Sequence, residues 1–417
     1  MILKILYVLS MAVSLTLKFN GQQISYDIQM LFGMIWILIG AVGVMAVQVI
    51  HGHSFRIPRI LIELLIPWIL IFTFTFILWT FWPPELVNEQ YFSRMIGNVM
   101  LIIIAILNAF VGTMLFGSKV INLSFYSLVI TIVANMIVVL PQYSLATFLT
   151  YLIQVVPGNY IWQSPLWSLA DKLETQGPTM TMGMYAIYFI WFDHIDGSIK
   201  RHLLIGISFV CLYIGFKRTA VVGIILVLIF MWLIDNHNVN FRSAVNMIGT
   251  VMIVFFGVYI YLLDSGNLER LASFFKLDMM GRPTIYSYLV KLFSFNPLYI
   301  GKGFTYVAKT MYDSIGFEAH SEIVRMYAEI GFVPFFVWLY YYLIFLPKSI
   351  SSKYGNQAGR IFLVTVTYVF GTFLTENTLM AYSMQYSLAL FSLAYIYKPL
   401  VKQSVTIVKD FTDETGL

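Results

Sequence analysis

Residues 317–336 read FEAHSEIVRMYAEIGFVPFF, and within them His320, Glu322, Arg325 and Glu329 stand at the lip of an apolar run. The three charged residues are spaced i, i+3 and i+7, which puts them on one face of a helix with two ion pairs within reach. Mutual neutralisation lets such charges enter a membrane edge at tolerable cost, a structural role. His320 lies just before that helix, where a neutral imidazole can accept a proton near physiological pH. A single histidine is more often structural than catalytic, so the spacing by itself leaves both roles open.

A second group of candidates is cationic. The apolar stretch from His202 to Ile234 would be roughly 50 Å long as one helix, more than one membrane crossing requires, so it must fold back. The turn falls at Lys217 and Arg218. That places two cations at the outer surface, where a buried arginine must face protein, water or an anion, or snorkel to headgroups. Farther on, Arg282 follows a glycine and precedes a proline, the signature of a helix start or tight turn. Lys302 sits in "GKGF", whose glycines permit close backbone approach. No phosphate-cradling Walker pattern is present.

These residues need elements to hold them, and the composition says which. Of 417 residues 59% are hydrophobic and only 11% charged, where a soluble domain carries about a quarter. The chain reads as a single all-α polytopic membrane domain over 1–417. Apolar runs predict about twelve spans, near 2–17, 28–50, 60–82, 95–116, 119–140, 179–193, 202–216, 219–234, 244–263, 321–346, 361–375 and 379–397. With the N-terminus inside, Arg56, Arg59, Lys119, Lys200, Arg201, Arg242, Lys348, Lys353, Arg360 and Lys398 all fall on the cytoplasmic side, as do both termini. The net charge of +5 gives no reason to invoke nucleic acid. Cys211 stands alone, which excludes an intramolecular disulfide and any multi-cysteine metal motif.

Two outer loops are long. The first, 141–178, contains "LATFLTYLIQVVPG", too short to span and suited to a re-entrant or interfacial helix, followed by Trp162 and Trp167, which can anchor at the interface or stack against sugar rings. The second, 264–320, carries Arg270, Lys276, Arg282, Lys291, Lys302 and Lys309, against the positive-inside trend. Long loops translocate largely regardless of charge, but a basic outer loop still needs a reason. The acidic "DHID" at Asp193–Asp196 falls on the cytoplasmic side as a solvated loop.

Taken in order, "FKRTAVVG", "GR" before an aromatic-rich segment, "NPLYIGKGF" and "AHSEIVRMYAEIGFVPFF" resemble the O-antigen polymerase and ligase superfamily, the Wzy and WaaL type of bacterial surface-polysaccharide enzymes. The last segment is similar to the family's H-N-x-x-L…E-x-G-x-x-G pattern, with Ser321 in place of asparagine and Pro334 in place of a second glycine. The resemblance covers about 173–344. It implies a GT-C-like glycosyltransferase of the bacterial cytoplasmic membrane with its site facing outward, needing neither metal nor other cofactor. The implied donor and acceptor are oligosaccharides on undecaprenyl pyrophosphate. Arg218 and Arg282 would hold the pyrophosphate, and His320 would be the catalytic base. Lys217, Lys302, Glu322, Arg325 and Glu329 would be secondary contacts, and Tyr286, Tyr288, Tyr306 and Tyr312 candidates for a sugar groove. The expected activity is polymerisation of repeat units; a ligase of the same superfamily and a lipid-linked oligosaccharide flippase are the alternatives. Membrane lipids are expected partners, and a chain-length regulator is left open.

Overall fold

In hydrocarbon every backbone N–H and C=O must be satisfied within the chain, so an apolar sequence of this kind crosses as helices. The computed structural model describes residues 1–16, 18–51, 57–154, 164–175, 177–192, 198–215, 218–237, 239–275, 282–317 and 319–394, and helices dominate them. In chain order these are α1 (Ile2–Ser14), α2 (Tyr26–His51), α3 (Arg59–Phe81), α4 (Glu89–Phe116), α5 (Lys119–Val139), α6 (Leu145–Gln154), α7 (Pro165–Leu173), α8 (Gly177–Trp191), α9 (Ser198–Ile214), α10 (Arg218–Asn236), α11 (Phe241–Asp264), α12 (Asn267–Phe274), α13 (Arg282–Leu289), α14 (Tyr306–Ile315), α15 (Glu322–Ile330), α16 (Phe332–Tyr340), α17 (Leu346–Tyr354), α18 (Asn356–Thr372) and α19 (Tyr382–Leu393). A π-helical segment, Tyr341–Phe345, joins α16 to α17, and a two-residue hairpin, Lys18–Phe19 with Gln22–Gln23, follows α1.

Seven helices among the described residues are long and apolar enough to cross a membrane: Tyr26–Ala46, Arg59–Phe81, Glu89–Phe116, Lys119–Gln142, Thr219–Asn236, Phe241–Asp264 and Phe332–Tyr354. The sequence predicts twelve spans; the other five runs, expected at 2–17, 179–193, 202–216, 361–375 and 379–397, fold as shorter helices of 13, 15, 17, 17 and 12 residues. Every residue of α19 is buried, its serines and Gln385 included. The run expected as one span at 321–346 is divided at Gly331, so that the apolar span begins at Phe332 and α15 stands apart from it. The stretch expected to fold back is divided where that turn was placed: α9 ends at Ile214 and α10 begins at Arg218.

The described residues gather into two compact units, each assembled from separated parts of the chain. The first comprises 1–64, 101–224 and the chain from Ala381. In it α1 packs on α2 and α5, α8 on α5, α9 and α19, and α6 on α7. Here the first long loop forms the short helix expected of it: Tyr151 of α6 is buried among Val139, Leu169, Leu173 and Ile214 and donates to the Ile214 carbonyl at 2.5 Å. Ser164 caps α7, accepting from the Trp167 N–H at 3.1 Å, with Pro165 at the first helical position, where its missing donor costs nothing.

The second unit comprises 65–100 and 225–380. Helices α11, α16, α17, α18 and the π segment form its packed body, and the long basic loop folds against it as α12, α13 and α14.

Candidate functional site

The site grows from α15, a nine-residue helix whose every residue is buried although three of them are charged. A helix this short leaves most of its terminal backbone groups without intrahelical partners. At its start the Ser321 hydroxyl accepts from the Val324 N–H at 3.5 Å, and the Ile323 N–H reaches the Phe373 carbonyl at 3.3 Å. At its end the loop carrying "NPLYIGKGF" supplies the missing donors. The Lys302 N–H and the Tyr299 hydroxyl both donate to the Ala328 carbonyl (3.1 and 2.7 Å), and the Gly303 N–H donates to the Glu329 carbonyl (2.7 Å).

Two glycines make this approach possible. Gly301 and Gly331 have φ of +87° and +84°. A Cβ on Gly331 would lie 2.3 Å from the Ile300 carbonyl carbon, and one on Gly301 would lie 2.5 Å from the Glu329 oxygen. Backbone lies against backbone with no room for side chains, which is why the helix stops there instead of running into α16. The loop is pinned from its other side by α3, where the Trp79 indole donates to the Lys302 carbonyl at 2.8 Å and Thr75 accepts from the Phe304 N–H at 2.9 Å.

Along α15 the carboxylates bracket the arginine. Glu322 Oε2 lies 2.5 Å from Arg325 Nη2, and Glu329 Oε2 lies 4.0 Å from Arg325 Nε. Each glutamate also ties α15 to another segment through its second oxygen. Glu322 accepts from the Leu379 N–H at 3.0 Å, and Glu329 from the Ala308 N–H at 3.3 Å, in the first turn of α14. Two buried carboxylates against one buried guanidinium leave an excess negative charge if both ionise. Burial raises the Glu329 carboxyl above the usual carboxylate range; Arg325, the Thr305 and Ala308 amides and Arg94 act against it. A neutral Glu329 beside a Glu322–Arg325 ion pair balances the charge in a region where an uncompensated ion is costly.

His320 immediately precedes this helix and is half-buried, with φ of +49°. The left-handed region costs a residue with a Cβ about 1–2 kcal/mol, and such strain persists only where surrounding contacts hold it. Those contacts begin at the next residue. Ser321 is within hydrogen-bonding reach of Tyr259 on α11, and the Tyr259 hydroxyl lies 2.9 Å from that of Tyr286 on α13. Arg282 opens α13 one turn before Tyr286, and its positive charge acts on both tyrosines. Burial raises the Tyr286 hydroxyl above its usual range, with the Tyr259 bond and Arg282 opposing, so it stays a proton donor at neutral pH. The Tyr259–Tyr286 hydroxyl pair is thus flanked by the Arg282 charge and by Ser321, the residue that follows His320 in the chain.

Arg282 acts on the two tyrosines and His320 stands one residue before the capping Ser321, while the three charges of α15 tie that helix to α14 and to the Leu379 backbone. Lys302 contributes its backbone to the α15 cap and keeps a half-buried side chain. Arg218 belongs to the first unit, at the start of α10. Lys217, Lys276, Trp162 and the Asp193–Asp196 cluster lie outside the described residues. The four candidate groove tyrosines divide: Tyr286 and Tyr306 are buried, the latter with its ring 5.6 Å from that of Tyr91, while Tyr288 and Tyr312 are exposed. Tyr259 was not legible as a site residue, because it stands inside an apolar run. Among the described residues no three of His, Cys, Asp and Glu gather closely enough to hold a metal ion. Comparison of the chain with protein-family models, with curated proteins and with solved structures finds no match.

Proposed function

We propose that this chain is a membrane glycosyltransferase that joins lipid-linked oligosaccharide repeat units into a polysaccharide. The reading adopts the resemblance to the Wzy and WaaL superfamily: a GT-C-like protein of the bacterial cytoplasmic membrane, with undecaprenyl-pyrophosphate-linked donor and acceptor outside. The observation that supports it is the Tyr259–Tyr286 hydroxyl pair, on which the Arg282 charge acts, beside Ser321, the neighbour of His320.

In this reading His320 removes the proton from the acceptor hydroxyl as that oxygen attacks the anomeric carbon of the donor. The bond from that carbon to the pyrophosphate oxygen breaks, and the leaving group gathers negative charge. Arg282 meets this charge with a planar fork that binds phosphate oxygens bidentately, in surroundings that screen poorly. General-base assistance of this kind is worth about 10²–10⁴ in rate. The resemblance gives Arg218 the same task as Arg282, and its substitution is a separate test.

The test is the size and membrane side of lipid-linked glycans in cells lacking the protein, rescued with wild type or with His320→Asn. Asparagine is chosen because it tolerates the left-handed backbone that alanine would strain. Single repeats that accumulate outside and are extended only by wild type are the expected result. Long outer lipid-linked chains would make the protein a ligase, and single repeats trapped inside would make it a flippase.

A further inference from the structure

Within the second unit, away from α15, three helices meet at a polar cavity of about 300 Å³ lined by Asn240, Phe241, Arg242, Lys348, Ser351, Ser352 and Asn356. Its position follows from how two candidate spans pack. Phe336 of the 332–354 span lies against Gly257 of α11, Ile344 against Gly249, and Ser351 and Phe241 together against Gly359 of α18. The two spans therefore run antiparallel. The cavity sits where α11 begins and the other span ends, the level at which a bilayer gives way to headgroups and water.

The lining has the chemistry of an anion site. Arg242 is exposed and Lys348 half-buried at the cavity wall, Ser351 and Ser352 add hydroxyls, and Asn240 and Asn356 add amides. Lys348 is oriented by Asn246, to which its ammonium donates at 2.5 Å, and Ser351 donates to Asn356 at 2.6 Å. No carboxylate lines the cavity. Asp235 forms its ion pair with Arg360 at 3.1 Å. Two cations with serine and amide groups, at the shared end of two spans, suit a phosphate on a membrane surface.

We propose that this cavity binds a phosphate-bearing anion of headgroup size, supplied either by an anionic phospholipid or by soluble phosphate. A bound phosphate bridges Arg242 of α11 to Lys348 of α17 and so ties the ends of the two spans together. The site is independent of the glycosyl-transfer reading.

The experiment uses the full-length protein in non-ionic detergent, titrated in turn with phosphatidylglycerol, phosphatidylcholine and inorganic phosphate. Binding is read by native mass spectrometry and by thermal shift. Wild type is expected to hold phosphatidylglycerol in preference to phosphatidylcholine, and Arg242→Gln and Lys348→Gln should each weaken it about fivefold. Ser352→Asp, an exposed change that leaves both cations in place, should also expel the anion. A stabilisation by inorganic phosphate that these variants abolish would identify the soluble source, and its absence alongside lipid binding the lipid source. Lys353→Gln, one residue beyond the lining, should change nothing. Phosphatidylglycerol and phosphate responses that are the same in wild type and in Arg242→Gln/Lys348→Gln would overturn the site. So would an equal loss in Lys353→Gln, which would mean diffuse surface charge.

Discussion

The two units bury polar groups in different currencies. In the first unit the tyrosines of α19 make neutral interior contacts: the Tyr386 hydroxyl lies 2.5 Å from that of Tyr7 and 2.7 Å from that of Ser124, and Asn108 donates to the Tyr382 hydroxyl at 2.8 Å. Its one buried carboxylate among the described residues, Glu63, pairs at 3.2 Å with the exposed Arg59 at the start of α3. The second unit buries Glu322, Arg325 and Glu329 within a single short helix. Neutral pairs contribute about 1 kcal/mol each and fix how helices dock. Buried ions cost several kcal/mol each to desolvate and persist only with full compensation. The second unit takes on that cost beside His320, where the compensation also anchors three segments of chain.

The contrast is sharpest in Arg325→Met. Removing the guanidinium leaves the buried Glu322 carboxylate without its 2.5 Å partner, and a loss of about 3–5 kcal/mol is expected, read as thermal unfolding of the detergent-solubilised protein. A variant as stable as wild type would mean that the ions are not the support of this unit. Gly331→Ala comes next. A methyl group there meets the Ile300 backbone and the residue must also hold a positive φ, so a loss above about 2 kcal/mol is expected together with loss of transfer activity. In the first unit Tyr386→Phe removes two hydroxyl contacts but buries no ion; about 1–2 kcal/mol should be lost with transfer activity retained. A drop as large as that of Arg325→Met would erase the distinction between the units.

The smallest effect is expected for Glu329→Gln, which preserves the shape of the carboxyl and is neutral, the form that burial favours there. Stability should change by less than about 1 kcal/mol at neutral pH. The pH dependence is more telling. A carboxyl raised in the folded state contributes stability that is fully present below its unfolded value and is lost as pH rises through the folded one. Wild type should show that decline above the ordinary carboxylate range, and Glu329→Gln should flatten it. An unchanged slope would place the titrating group elsewhere. Glu322→Gln, by contrast, should destabilise far more, because it deprives Arg325 of its 2.5 Å partner.

Much of the candidate site was legible as spacing. The i, i+3, i+7 pattern of Glu322, Arg325 and Glu329 does produce two ion pairs, Arg282 does open a helix, and the glycines of "GKGF" do bring backbones together. What the spacing did not reveal was the partner of each device. That "NPLYIGKGF" caps α15, and that Tyr259 joins Tyr286 to Ser321, depends on contacts between residues tens of positions apart, inside runs that read only as apolar. Hydropathy registers that α18 and α19 are apolar, not whether lipid or protein surrounds them, and α19 is wholly buried in its unit.

By itself the sequence determined the all-α membrane class, the positions of most long helices and the residues able to carry charge into an apolar chain. These follow from local composition and from the 3.6-residue period, which each segment expresses without reference to the others. The tertiary structure alone decided that α15 breaks at Gly331, that one arginine answers two carboxylates, and that His320 keeps a left-handed backbone. Each of those outcomes costs free energy locally, so each persists only because groups brought in from elsewhere in the chain offset it.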